Sequence, residues 1–97
     1  MEAMYLRVKR QRTTYFVHCN SGDSGGEVKA KLQALSCHPA RQQRLILLPS
    51  RRILDDSRTL AQQQVESGSI LALTLRKGSG DWEDIDIQNS DPYESRD

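Results

Sequence analysis

The sequence predicts an α+β domain, with a mixed sheet and one main helix packed across it. Three observations predict this. Two segments near the start alternate apolar and polar residues and are joined by a short polar link, the period-2 signature of paired strands. A single capped helical stripe follows at 24–35, and further strand segments lie at 45–48 and 69–76. The resulting order, ββαβ, short turns, β, is that of a sheet with one helix layered on it.

Met4, Leu6 and Val8 alternate with Tyr5, Arg7 and Lys9, which reads as a half-buried strand. Arg10, Gln11 and Arg12 interrupt the pattern. It resumes over 13–19, with Tyr15, Val17 and Cys19 on one face and Thr14, Phe16 and His18 on the other. Both faces carry an aromatic, so periodicity alone does not choose the buried one. The two segments read as a hairpin.

Residues 20–26 are rich in Gly, Ser and Asp and read as a loop. Ser24 is the expected N-cap, and Glu27 three residues later completes a capping box. Val28, Leu32 and Leu35 recur on one helical face, with Lys29, Lys31 and Gln33 off it. Gly25 and Gly26 in the first turn weaken the helix start. His38-Pro39 ends it, because the residue before proline is pushed out of the helical region.

Leu45 to Leu48 is a short apolar strand closed by Pro49 and Ser50, and Ile53-Leu54 is a brief apolar pair. Asp55, Asp56 and Ser57 supply turn formers. Thr59-Leu60 leads into a Gln-rich stretch that suits a one-turn helix. In the last strand, 69–76, Leu71, Leu73 and Leu75 alternate with Ile70, Ala72 and Thr74.

Ninety-seven residues with 36% apolar and 5% aromatic side chains allow one domain with a small aliphatic core. No run approaches the roughly 18 apolar residues of a membrane span, and the start has no apolar stretch of signal-peptide length. With Cys19 and Cys37 the only cysteines, a disulfide-stapled scaffold is not expected. These features predict a nuclear and cytoplasmic protein with reduced thiols. The net charge of +1 hides an asymmetry. Residues 1–80 hold 13 Lys/Arg against 6 Asp/Glu, while 81–97 hold 7 Asp/Glu against Arg96 alone. The expected organisation is a domain over 1–77 and an acidic extension over 78–97, disordered or docked on a partner.

The blocks VKAKLQ at 28–33, QQRLI at 42–46, LDDSRTL at 54–60 and SILALTLR at 69–76 resemble the ubiquitin family. The resemblance covers residues 4–77 and implies the β-grasp fold. A closer resemblance, to the elongin B family, rests on RTTYF at 12–16, S-x-x-E-V-K at 24–29, the LDD turn, and the WEDIDI and DPYES segments beyond the last strand. The loop at 49–52 is longer here than in that family, and the tail is shorter. The resemblance implies a non-catalytic adaptor that pairs with elongin C in cullin-type ubiquitin ligase or elongin transcription complexes.

Ubiquitin-type conjugation needs a free C-terminal diglycine, whereas this chain reads Arg76, Lys77, Gly78, Ser79, Gly80 and continues. By resemblance, Ile46 matches the isoleucine at the centre of ubiquitin's apolar patch, whose histidine and valine partners map to Ala72 and Thr74. The alternative function is therefore docking on the proteasome or ubiquitin-binding proteins through the Ile46 face. The bland reading of Ile46 is an isolated apolar surface residue. Trp82, Ile85 and Ile87 interrupt the acidic tail and read as a segment that docks on the domain's own sheet or on a partner, since interface anchors are often Trp. Expected partner-binding residues are Tyr5, Arg7 and Phe16 on the outer hairpin face, Ile46, and Trp82, Ile85 and Ile87.

Arg7, Lys9, Arg10 and Arg12 invite a nucleic-acid reading. The near-neutral chain and the competing acidic tail favour a charged hairpin edge that suppresses strand pairing. The pairs His18-Cys19 and Cys37-His38 lack zinc-ligand spacing, so no metal is expected. GDSGG at 22–26 matches a serine-protease string, but the chain is too short for that two-barrel enzyme and no triad assembles around Ser24. No catalytic residue and no cofactor are predicted.

Overall fold

The computed structural model describes residues 3–87. Strands β1 (Ala3–Arg10) and β2 (Thr13–Asn20) are followed by helix α1 (Gly25–Ser36) and a single 3₁₀ turn (Ala40–Gln42). Then come β3 (Gln43–Leu47), β4 (Arg52–Ile53) and β5 (Ile70–Leu75). They form one five-stranded sheet in the order β2-β1-β5-β3-β4. β1 runs parallel to β5, and the other neighbours are antiparallel. The fold is α+β, with the helix across one face of a mixed sheet.

Register explains which face is core. Leu6 opposes Val17 and Val8 opposes Tyr15. Leu45 opposes Leu73, and Leu47 opposes Leu71. These inward positions join Val28 and Leu32 of α1 and Leu54, Leu60 and Val65 of the loops in a single cluster. Tyr15 packs against that cluster while Phe16 points outward, which settles the face of β2.

The capping box forms as the sequence predicts. The Glu27 N–H donates to Ser24 Oγ at 3.1 Å, and the Ser24 N–H donates to Glu27 Oε1 at 2.9 Å. This is the role of the serine in the GDSGG string. The helix ends at Ser36, and Cys37 closes it in the left-handed region with its N–H on the Gln33 carbonyl.

Three expectations are corrected. The buried stripe of α1 is Gly25, Val28, Lys29 and Leu32, so Leu35 falls off it and is 54% exposed. Lys29 lies on the stripe because its stem is buried while Nζ reaches Asp56 Oδ1 at 2.7 Å. A Cβ on Gly25 would stand 2.5 Å from the Asp55 carbonyl oxygen, so only glycine lets the first turn lie on the 55–56 loop. The Gln-rich stretch makes a turn rather than a helix. The Gln63 N–H meets the Thr59 carbonyl at 3.2 Å, and Gln64 then reverses the chain at φ 61°. Buried Gln63 joins that turn to the preceding loop, accepting from the Asp55 N–H and donating to the Asp55 and Arg58 carbonyls.

Among the described residues, no helix is long and apolar enough to cross a membrane. Gly25→Ala is expected to cost about 1–3 kcal/mol through overpacking. Gly26→Ala, whose Cβ would meet the Asp56 carbonyl at 3.3 Å, should stay within about 0.5 kcal/mol of the parent. Urea denaturation of both variants checks the contrast.

Candidate protein-interaction surface

The outer sheet face, away from α1, carries Tyr5, Arg7 and Lys9 of β1, with Thr14, Phe16 and His18 opposite them on β2. It continues with Ile70, Ala72 and Thr74 of β5, Arg44 and Ile46 of β3, and Ile53 of β4. Tyr5 is 40% exposed and Phe16 58% exposed, with ring centroids 6.5 Å apart. Arg7 is half-buried and donates from Nε and Nη2 to the Gly68 carbonyl, at 3.1 and 2.9 Å. Its guanidinium therefore ties β1 to the loop before β5.

Ile46 lies on this outer face, opposite Ala72 on one side and Ile53 on the other. It is only 5% exposed, and Ala72 and Thr74 are buried beside it. Exposed apolar area near it belongs instead to Ile53, at the sheet edge.

The start of the acidic extension is built onto this sheet. A tight turn reverses the chain after β5: Gly80 N–H donates to the Lys77 carbonyl at 2.9 Å, and Lys77 N–H to the Asp81 carbonyl at 2.6 Å. Gly80 has φ 95°, a conformation that L side chains rarely adopt. Trp82 then bridges antiparallel to Arg76. Its ring lies 5.0 Å from the Arg44 guanidinium carbon and 5.8 Å from that of Arg76. The buried Arg44 Nε has no hydrogen-bond acceptor among the described residues, and the guanidinium faces the ring.

Glu83 is the next anchor. β5 continues to Leu75, but β1 turns away after Arg10, leaving Leu75 without a strand neighbour on that side. Glu83 supplies both missing partners: its N–H donates to the Leu75 carbonyl at 3.0 Å, and its Oε1 accepts from the Leu75 N–H at 3.0 Å. The same carboxylate takes a two-pronged contact from Arg10, with Nε to Oε1 at 3.0 Å and Nη2 to Oε2 at 2.7 Å. This hydrogen-bonded pair holds the Glu83 carboxyl below its ordinary pKa and raises that of the Arg10 guanidinium. Beyond it, Ile87 bridges in parallel with Gln11.

Of the residues read as partner-binding, Tyr5 and Phe16 form one exposed pair and Trp82 stands over the Arg44 end of the sheet. Ile85 and Ile87 are half-buried along the docked segment. Of the two placements left open by the sequence, the domain's own sheet or a partner, residues 81–87 lie here against the chain's own domain. The rest of the extension, 88–97, is outside the described residues. Sequence reading missed Arg10, Arg44, Arg76 and Glu83, which hold the segment down. Arg10 and Glu83 stand 73 positions apart, and no local pattern links them.

Because the Glu83 pKa is depressed, its contact stabilises the docked segment above the ordinary glutamate pKa of about 4.3. That contribution is lost as pH falls from there through the lower, docked value. Trp82 is the only tryptophan, so its fluorescence reports docking. Acidification through this window is expected to shift the emission before global unfolding. Glu83→Gln should remove most of that step and weaken docking by about 1 kcal/mol, allowing for solvent screening of a partly exposed pair.

Residues 5–78 match the family model described as the Ubiquitin family. The matched span takes in all five strands except the first two residues of β1, together with the helix and the loops that the Gly25 contact holds together. The family's fold serves protein modification and protein interaction. The chain belongs to the ubiquitin family.

Proposed function

We propose that the chain is a non-catalytic, ubiquitin-like protein-interaction adaptor of the elongin B type. In this reading it pairs with elongin C and works in the nucleus and cytoplasm, within cullin-type ubiquitin ligase or elongin transcription complexes. The observation that carries the reading is the docked extension. Covalent modifiers keep the end of the last strand free for conjugation, whereas here Glu83 occupies the slot beside Leu75 and Trp82 packs on Arg44 and Arg76. That arrangement presents Ile85 and Ile87, both half-buried, on a preformed backbone at the sheet's end. A preorganised segment binds with less ordering cost than a disordered one.

The Ile46 face supports the alternative, docking on the proteasome or ubiquitin-binding proteins, less well. Ile46 is 5% exposed, and its Ala72 neighbour offers little apolar area. Ile53 beside it is the one large apolar group there that a partner could bury.

Size-exclusion chromatography with purified elongin C tests the proposal. The full chain is expected to co-elute with it, and removal of residues 81–97 to weaken the pair about tenfold, or about 1.4 kcal/mol. Failure to co-elute refutes the elongin-type reading. Capture by ubiquitin-binding domains that Ile46→Ala abolishes and tail removal leaves intact would establish the alternative.

A further inference from the structure

The turn that carries the chain from β5 into its docked segment reads Arg76, Lys77, Gly78, Ser79, Gly80, Asp81. A serine with bases two and three residues before it is the substrate pattern of basophilic protein kinases, whose acidic clefts pair with those bases. In the whole chain only Ser79 and Thr13 have a Lys or Arg three residues before them. Thr13 stands opposite Arg10 across the β1–β2 hairpin, so laying that stretch out along a kinase cleft would break the ladder. Ser79 has no such tie. Residues 76–80 are exposed, and a Cβ on Gly78 or Gly80 would have nothing within 4 Å. The Ser79 hydroxyl takes no part in the bonds that close the turn, which run from Gly80 N–H to the Lys77 carbonyl and from Lys77 N–H to the Asp81 carbonyl.

The groups around this hydroxyl give its modification a consequence. Arg76 serves the docked segment twice: its Nε donates to the Gly80 carbonyl at 3.3 Å, and its guanidinium carbon lies 5.8 Å from the Trp82 ring. A phosphate on Ser79 brings a charge of about −1.5 to −2 beside that guanidinium. Charge-assisted bonds to phosphate are stronger than a bond to a neutral carbonyl, so the guanidinium is drawn off both contacts. The same charge repels Asp81 and Glu83, two and four residues on. Glu83 is the anchor that holds the Leu75 N–H and the Arg10 guanidinium.

We propose that Ser79 is a phosphorylation site for a basophilic serine kinase, and that the phosphate releases residues 81–87 from the sheet. In the transfer, Ser79 Oγ bonds to the γ-phosphorus of ATP as that phosphorus parts from the oxygen bridging it to the β-phosphate. ADP leaves with the bonding pair, and the hydroxyl proton passes to the kinase's base. The kinase cleft needs Arg76 free of Gly80 and Trp82, so docking and kinase binding compete. Release withdraws Ile85 and Ile87 from their preformed backbone, which places partner binding by this end of the sheet under the control of a kinase. The inference rests on the docked segment and not on elongin C as the partner.

The probe is the catalytic subunit of cyclic-AMP-dependent protein kinase with ATP and magnesium, acting on the full chain, with the product mapped by mass spectrometry. Phosphate is expected on Ser79 and absent from Ser79→Ala, which should keep the parent's exchange rates. In the phosphorylated chain the amides of Leu75 and Gln11, which donate to Glu83 and Asp86, are expected to exchange about threefold faster or more. Trp82 emission should shift to the red, and high salt should shrink both effects. Glu83→Gln, which loosens docking and leaves the motif intact, should be phosphorylated faster than the parent. The proposal is overturned if the kinase leaves Ser79 unmodified under conditions that exhaust a standard peptide substrate, or if the phosphate falls on Thr13 instead. It also fails if the fully phosphorylated chain keeps or gains protection at Leu75 and Gln11. Parent amides already unprotected there overturn it by removing the docked state, an outcome separate from any result with elongin C.

Discussion

Strand β5 sits between β1 and β3, so the sheet has no centre until residues 70–75 arrive. Its parallel pairing with β1 cannot be made by a hairpin and requires a crossover. Residues 21–69 supply it, carrying α1 across the inner face before the chain returns through β3 and β4. Leu71 and Leu73 then complete a core whose other members, Leu6, Val8, Leu32 and Leu45, have no other common neighbour strand. The same placement decides what happens beyond the domain. β5 outlasts β1, and the main-chain groups of Leu75 need partners where β1 has turned away. Glu83 provides one with its backbone and one with its carboxylate. Docking of the extension is thus a consequence of strand mismatch at the sheet's centre.

The long crossover is held down by polar contacts as well as by Val28, Leu32, Leu54, Leu60 and Val65 in the core. Gln43 is buried and donates to the carbonyls of Lys29 and His38, joining the helix, the 3₁₀ turn and β3. Gln63 makes three hydrogen bonds to the 55–58 loop. Lys29 ends in an ion pair with Asp56, a carboxylate 62% exposed, so the charge stays in contact with water. Buried polar groups are costly without partners and specific with them. These side chains fix the loops relative to the helix at positions where a small aliphatic core could not. Gly25 completes the arrangement by letting helix and loop backbones touch.

Charge follows the same geometry. The basic body and acidic extension, which nearly cancel in the whole chain, meet at Arg10, Arg44 and Arg76. Two of these arginines flank Trp82 and the third clasps Glu83. A cation–π contact of about 0.5–2 kcal/mol and a partly exposed ion pair are each modest, but main-chain bonds at Leu75 and Gln11 add to them. Covering this end of the sheet leaves three apolar features open among the described residues: the Tyr5–Phe16 pair on the hairpin, Leu35 on the helix, and Ile53 on β4.

The hairpin, the capping box and the last strand were legible in the sequence because each rests on contacts within a few residues. Met4, Leu6 and Val8 announce an inward face by alternation, and Ser24 and Glu27 announce a helix start by spacing. The family blocks located the core leucines for the same reason. The buried face of β2, the inward turn of Lys29 and the exposure of Leu35 were not legible. They depend on how the strands and the helix are layered on one another, which hydrophobic periodicity along the chain does not register. The extension shows the limit most plainly. Its composition, acidic with Trp82 and two isoleucines, marked it as a docking segment, yet where it docks depends on a gap beside Leu75 that exists only after five strands assemble. Sequence alone determined the inventory of elements and the chemistry of the segments, because both are set by side-chain type and local spacing. Tertiary structure alone decided which apolar residues stay exposed and what the tail pairs with, because unpaired main-chain groups at a sheet's edge arise from strand order and length, not from any local pattern.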